Sequence, residues 1–223
     1  MNVLQEVENF INEYNQLIDE DLEIDSIRIE FSKQYKKEHL EQLGNWNKLQ
    51  KNSNILYKLK NRLQNDDVTS VMRLERYNIY YYNTNNDKPK YRKATMIIFG
   101  LKQYNEDPPP KHIVNEIVSI LNDITNIDLC MDMKQKPNLE ALSRYFTLKQ
   151  YVEPKSKKPT DTYYINDTNI LMIDKITIYN KADKNSLDGI LWRVEALIQI
   201  PNIKYLALPL QEFKEVIDIA KGK

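Results

Sequence analysis

The chain has little of what most enzyme signatures are built from. Its 223 residues include one cysteine, two histidines and four glycines. A single cysteine, Cys130, excludes an internal disulfide and suits a reducing cytoplasm. His39 and His112 lie far apart, each near a lysine, so there is no paired-histidine motif and both read as surface residues. Four glycines leave no phosphate-cradling loop, which removes the P-loop and dinucleotide fingerprints. No apolar run approaches the roughly 20 residues needed to span a bilayer. The amino-terminal MNVLQEVENF is acidic and amphipathic, unlike a signal peptide, so no membrane partner is expected. Net charge is lacking too: lysine plus arginine equals aspartate plus glutamate at 32 each. No global field therefore draws the chain toward nucleic acid.

What is present is a globular composition, 41% hydrophobic and 29% charged, long enough to bury a substantial core. The charge is uneven: SKQYKKEHLEQLGNWNKLQKNSNILYKLKNR, KPKYRK and KSKK are basic, whereas NEYNQLIDEDLEID is acidic. Apolar residues at spacings of three and four predict a helix over 2–19, and strict alternation predicts a strand over 23–32. Residues 36–64 read as one or two basic helices, with Leu40, Leu43, Trp46 and Leu49 inward and a break near Asn52–Ser53–Asn54. Residues 70–101 read as a hairpin of two long strands around a polar turn. Tyr77, Tyr80, Tyr81 and Tyr82 there suit either strand packing or base stacking beside KPKYRK.

Further along, HIVNEIVSILNDI is a helix, NIDLCMDM a strand, 137–147 a helix and YVEPKSKKPTD a lysine-rich loop. Strands TYYIN, NILMIDKITIYNK and ILWRVEALIQI follow, and LALPLQEFKEVIDIAKGK closes as an amphipathic helix. The expected fold is α+β, a mostly antiparallel curved β-sheet with helices on one face. A single domain over 1–223 is expected, helix-rich over 1–66 and sheet-rich over 68–223.

Side chains alternate across a strand, so each strand sorts its residues by parity. Leu129, Met131 and Met133 oppose Asp128, Cys130 and Asp132; Ile176 and Ile178 oppose Thr177, Tyr179 and Lys181. Trp192, Val194, Ala196, Ile198 and Ile200 oppose Arg193, Glu195 and Gln199. With the apolar sides inward, Asp128, Asp132, Tyr179, Lys181, Arg193 and Glu195 share the other face. Such carboxylates make an oxygen site for Mg²⁺ or Mn²⁺. A tyrosine beside cations could ionise below its usual pKa of about 10 and attack phosphorus. The alternative is a wet sheet face decorated with solvated charges. Cys130 has no histidine placed to activate it and reads as a small filler.

Three ordered segments, IDLCMD, YYIND…ITIYNK and LWRVE, resemble the carboxy-terminal half of rolling-circle replication initiators. The class in question is the trans-acting plasmid initiators, with relatives in filamentous phages and integrative conjugative elements. The resemblance covers roughly residues 111–200. It implies a tyrosine nickase without the two-histidine motif, with Tyr179 as nucleophile and a covalent 5′-phosphotyrosine link. It further implies Glu195 with Asp128 or Asp132 as ligands of Mg²⁺ or Mn²⁺, the choice of aspartate left open, and Lys181 and Arg193 as phosphate contacts. Lys155, Lys157 and Lys158 read most simply as a solvated loop, or, since they precede the nucleophile hairpin, as residues that grip DNA backbone. Single-stranded or cruciform origin DNA, a homodimer and host helicase or polymerase partners follow from the same resemblance. IND stands where the family carries glycine–serine, and Thr177 where it carries arginine. Two other readings remain open: a non-catalytic DNA-binding module, and a metal-dependent phosphodiesterase that uses water.

Overall fold

The computed structural model describes residues 2–63, 68–83, 93–103 and 107–223. Its elements run α1 (Val3–Ile18), β1 (Glu23–Ser32), α2 (Lys33–Glu41), β2 (Trp46–Lys48), α3 (Asn54–Leu63), β3 (Thr69–Leu74), β4 (Ile79–Asn83) and β5 (Lys93–Phe99). They continue α4 (Lys111–Leu121), β6 (Asn126–Met133), α5 (Leu139–Ser143), β7 (Lys149–Val152), β8 (Pro159–Ile165) and β9 (Ile173–Asn180). The last are α6 (Lys181–Asn185), β10 (Trp192–Gln199), a 3-10 turn at Ile203–Tyr205 and α7 (Ala207–Lys221). The class is α+β, and the strand pairs within each half of the chain are antiparallel. The chain divides into two compact units: Met1–Glu6 with Ser26–Thr125, and Val7–Asp25 with Asn126–Lys223.

α1 begins at a reciprocal cap. Asn2 Oδ1 accepts from the Gln5 amide at 2.9 Å, while Gln5 Oε1 accepts from the Asn2 amide at 3.2 Å. Leu4, Val7 and Ile11 form its buried stripe; the spacing predicts Val7 and Ile11 but not Leu4, and the predicted Leu17 is exposed.

In the first unit the strand order is β2–β3–β4–β5–β1. The two-helix reading of 36–64 holds as α2 and α3, the second starting at the expected break. The gap between them is wider than expected: α2 ends at Glu41, and Gly44 beyond it adopts φ +146° against the Leu74 and Glu75 side chains. Trp46 then pairs with Leu74 as a strand residue, and its indole donates to the Leu40 carbonyl at 2.7 Å. That carbonyl, at the end of α2, also accepts from the Leu43 amide at 3.2 Å, so the indole adds a second bond there. The long first strand expected after residue 70 is likewise two strands. Arg73 donates to the carbonyls of Tyr77 and Arg76, and this pins the turn between β3 and β4. Tyr80 and Tyr82 bury against α3 with Leu56, Leu59, Val68, Val71, Ile97 and Phe99. Tyr81 packs against Phe31 and Trp46 instead. These rings are therefore core, and most of KPKYRK lies outside the described residues.

In the second unit the order is β6–β10–β9–β8–β7. α7 buries Leu210, Phe213, Val216, Ile217 and Ala220. The helix expected over 137–147 shortens to α5, started by Asn138, whose side chain accepts from the Ala141 amide at 3.0 Å. The lysine-rich loop is the tip of a β7–β8 hairpin, closed by the Glu153 amide donating to the Lys158 carbonyl at 2.9 Å. Lys157 takes φ 55° there, a turn conformation that sequence alternation does not reveal.

Candidate functional site

The register of β10 against its two neighbours builds the site. Arg193 lies opposite Asp132 on β6 and Tyr179 on β9, and Tyr179 lies opposite Thr162 on β8. One pleat along, Glu195 faces Cys130 and Thr177, and Thr177 faces Tyr164, which pairs with Lys149 on β7. A third row holds Asp128, Leu197 and Lys175. Directly opposed residues share a face. Asp128, Asp132, Tyr179, Arg193 and Glu195 are thus on one side of these strands, as parity predicts.

That side is not the solvated surface that alternation suggests. Arg193 is only 1% exposed and Tyr179 6%. The guanidinium grips Asp132 with two bonds, Nε to Oδ1 at 2.5 Å and Nη2 to Oδ2 at 2.8 Å. Its Nη1 donates to Asp25 Oδ1 at 3.0 Å and lies 3.7 Å from Glu195 Oε1. Glu195 Oε1 also accepts the Tyr179 hydroxyl at 2.6 Å. Lys181 Nζ is 3.8 Å from Asp132 Oδ2, and Lys184 Nζ sits 4.2 Å from the centre of the Tyr179 ring.

The electrostatics follow from burial. Tyr179 is pushed well above the ordinary tyrosine pKa, first by desolvation and then by the Glu195 charge; Arg193 opposes this only in part. The expected low-pKa tyrosine is therefore corrected: the phenol rests protonated and donates. Burial pulls the Arg193 guanidinium down, but its hydrogen bonds to Asp132 and the surrounding charges outweigh it, so the group is held charged. Lys181 is lowered, by desolvation and then by Arg193. Burial raises the Cys130 thiol well above its usual range, consistent with a filler rather than a thiolate.

Of the residues assigned to phosphate contact, Lys181 and Arg193 are buried beside Asp132, while Lys155, Lys157 and Lys158 are exposed on the hairpin tip. The residue that sequence reasoning missed is Asp25. Its signal was an acidic residue in phase with Ile27, Ile29 and Phe31, on the strand's apolar parity.

Asp128, Asp132 and Glu195, as placed, do not fit a divalent ion. Both Asp132 oxygens are taken by Arg193, and Glu195 Oε1 by Tyr179. Asp128 and Asp132 are four strand residues apart, about 13 Å at the usual rise, too far to share one ion with oxygen distances of about 2.0–2.6 Å. Among the described residues, no three His, Cys, Asp or Glu side chains gather as a metal-holding group. Nor is any described helix long and apolar enough to cross a membrane.

Fold and site together define an α+β protein with a buried tyrosine–carboxylate–arginine network. No family model matches the chain, and no curated protein matches its sequence. Among solved structures it is similar to a rolling circle replication initiator protein from Geobacillus stearothermophilus. The identity is 12% and the TM-score 0.42, over 80% of this chain and 74% of that one.

Proposed function

We propose that the chain is a rolling-circle-type replication initiator that nicks and rejoins DNA through Tyr179. The observation that carries this reading is the 2.6 Å hydrogen bond from the Tyr179 hydroxyl to Glu195. It joins a potential nucleophile to a potential proton acceptor, the pairing that nucleophilic catalysis needs. Because the phenol rests protonated, the proton moves to Glu195 as attack proceeds. The Tyr179 oxygen bonds to phosphorus and the bond from phosphorus to the 3′ oxygen breaks. That oxygen leaves as a hydroxyl, taking a proton from a water that in turn recovers the proton held on Glu195, while the 5′ phosphate stays on the tyrosine. Joining runs the same steps backward. Lys155, Lys157 and Lys158 supply backbone contacts on single-stranded origin DNA. A homodimer and host replication proteins belong to the same reading.

The burial of Tyr179 favours a second reading, a DNA-binding module on the same fold in which the tyrosine is packing. One experiment separates the two. Labelled single-stranded oligonucleotides are incubated with the protein, with and without Mn²⁺, then denatured. A protein–DNA adduct lost in Tyr179→Phe supports the nickase. Binding without cleavage supports the module. Cleavage without an adduct, unchanged by that substitution, points to hydrolysis by water and removes Tyr179 from the chemistry.

A further inference from the structure

We infer that the Arg193 guanidinium is the resident cation of this cluster, filling the charge-balancing place that a divalent ion would take. The inference concerns charge and geometry; its bearing on nicking rests on the reading above. Arg193 is almost completely buried and touches carboxylates on three strands: Asp132 on β6, Asp25 on β1 and Glu195 on its own β10. A planar guanidinium is always charged and offers five fixed donors, so it binds one carboxylate in bidentate fashion and still reaches others. A metal has to collect oxygens around one point, whereas here the oxygens are arranged around the planar fork.

Lys181 adds a second cation near Asp132. Three carboxylates thus face two positive side chains, and an incoming divalent ion would meet repulsion from both. Arg193 also lies beside the one oxygen that Tyr179 donates to. Its charge there lowers the cost of negative charge on the phenol oxygen, a part a metal would otherwise play. Arg193 is accordingly a positioning residue: it acts on Tyr179 through Glu195.

The test is a titration of the intact protein with Mn²⁺, following free Mn²⁺ by its paramagnetic resonance signal. The wild-type chain is expected to show no site in the millimolar range or tighter. Arg193→Gln, which frees the carboxylates, is expected to gain one that Asp132→Asn in the same background removes. A wild-type Mn²⁺ site lost in Asp132→Asn or Glu195→Gln overturns the inference. If Arg193→Gln does not fold, the wild-type titration still decides. Adduct formation, once observed, is expected to survive chelation of divalent ions, and its loss on chelation counts against the inference. Absence of any adduct bears on the nickase reading alone and leaves the Mn²⁺ result standing.

Discussion

The Tyr179 hydroxyl and Glu195 Oε1 meet at 2.6 Å across two neighbouring strands, one pleat out of direct register. Because the pair is diagonal rather than opposed, the link depends on the longer reach of glutamate. Replacing Tyr179 by phenylalanine deletes the donor and leaves the ring's packing in place. A hydrogen bond to a charged acceptor of this kind is worth about 1–3 kcal/mol. The variant is expected to lose that much in urea unfolding, with an unchanged denaturant slope. A variant as stable as wild type would show that the bond contributes nothing.

Arg193 is the centre of the ion network, so removing it leaves buried carboxylates without compensation. Arg193→Met is expected to destabilise the protein by about 3–5 kcal/mol at neutral pH. The double variant Arg193→Met, Asp25→Asn is expected to be less destabilised than the sum of the singles, because one orphaned charge is gone. Additive losses in chemical denaturation would mean that Asp25 and Arg193 do not interact.

Alkaline pH gives a signed prediction. Tyr179 titrates at 10.0 when unperturbed and higher in the folded protein. Its contribution is complete below 10.0, and above that the unfolded chain loses a proton that the folded one retains. Stability then falls with rising pH by up to about 1.4 kcal/mol per unit. The lowered Lys181 works in the opposite sense, but only up to its ordinary 10.5. Above that, Tyr179→Phe should flatten the decline. The flattening is partial, since burial raises Tyr164 in the same direction. Parallel curves for the two proteins between pH 10 and 12 would refute the assignment.

The exposed lysines of the β7–β8 tip make the DNA-contact prediction. Replacing Lys155, Lys157 and Lys158 together by alanine should leave thermal unfolding unchanged. For single-stranded DNA it should reduce the slope of log affinity against log salt by about 2. An unaltered slope, measured by fluorescence anisotropy, would place the binding surface elsewhere.

Much of this architecture was legible because its signals are local. The Val7–Ile11 stripe, the Ile27–Ile29–Phe31 alternation and the Trp192–Ile198 alternation each specify an element without knowledge of its neighbours. Parity also brought Tyr179, Arg193, Glu195 and Asp132 to one face. What parity could not supply was burial, since alternating charge looks the same whether the polar face is wet or covered. Arg193 therefore read as a phosphate contact, although its donors are taken by Asp132 and Asp25. Asp25 itself was hidden among isoleucines, where an acidic residue has meaning only once its distant partner is known. Trp46 shows the remaining failure: its spacing fits a helix, but pairing with Leu74, far along the chain, decides its conformation.

Asp25 and Arg193 are separated by 168 residues, yet both belong to the second compact unit, into which the chain returns only at Asn126. On a translating ribosome the carboxylate emerges long before its guanidinium. At ordinary synthesis rates of about 5–20 residues per second the wait is on the order of ten seconds or more. Until Asn126 emerges, residues 7–25 have no partners from the rest of their own unit, and residues 26–125 of the other unit can settle first. Closure of the Arg193 network is thus a late event in biogenesis, and a nascent chain arrested before β10 would carry the Asp25 carboxylate without its guanidinium.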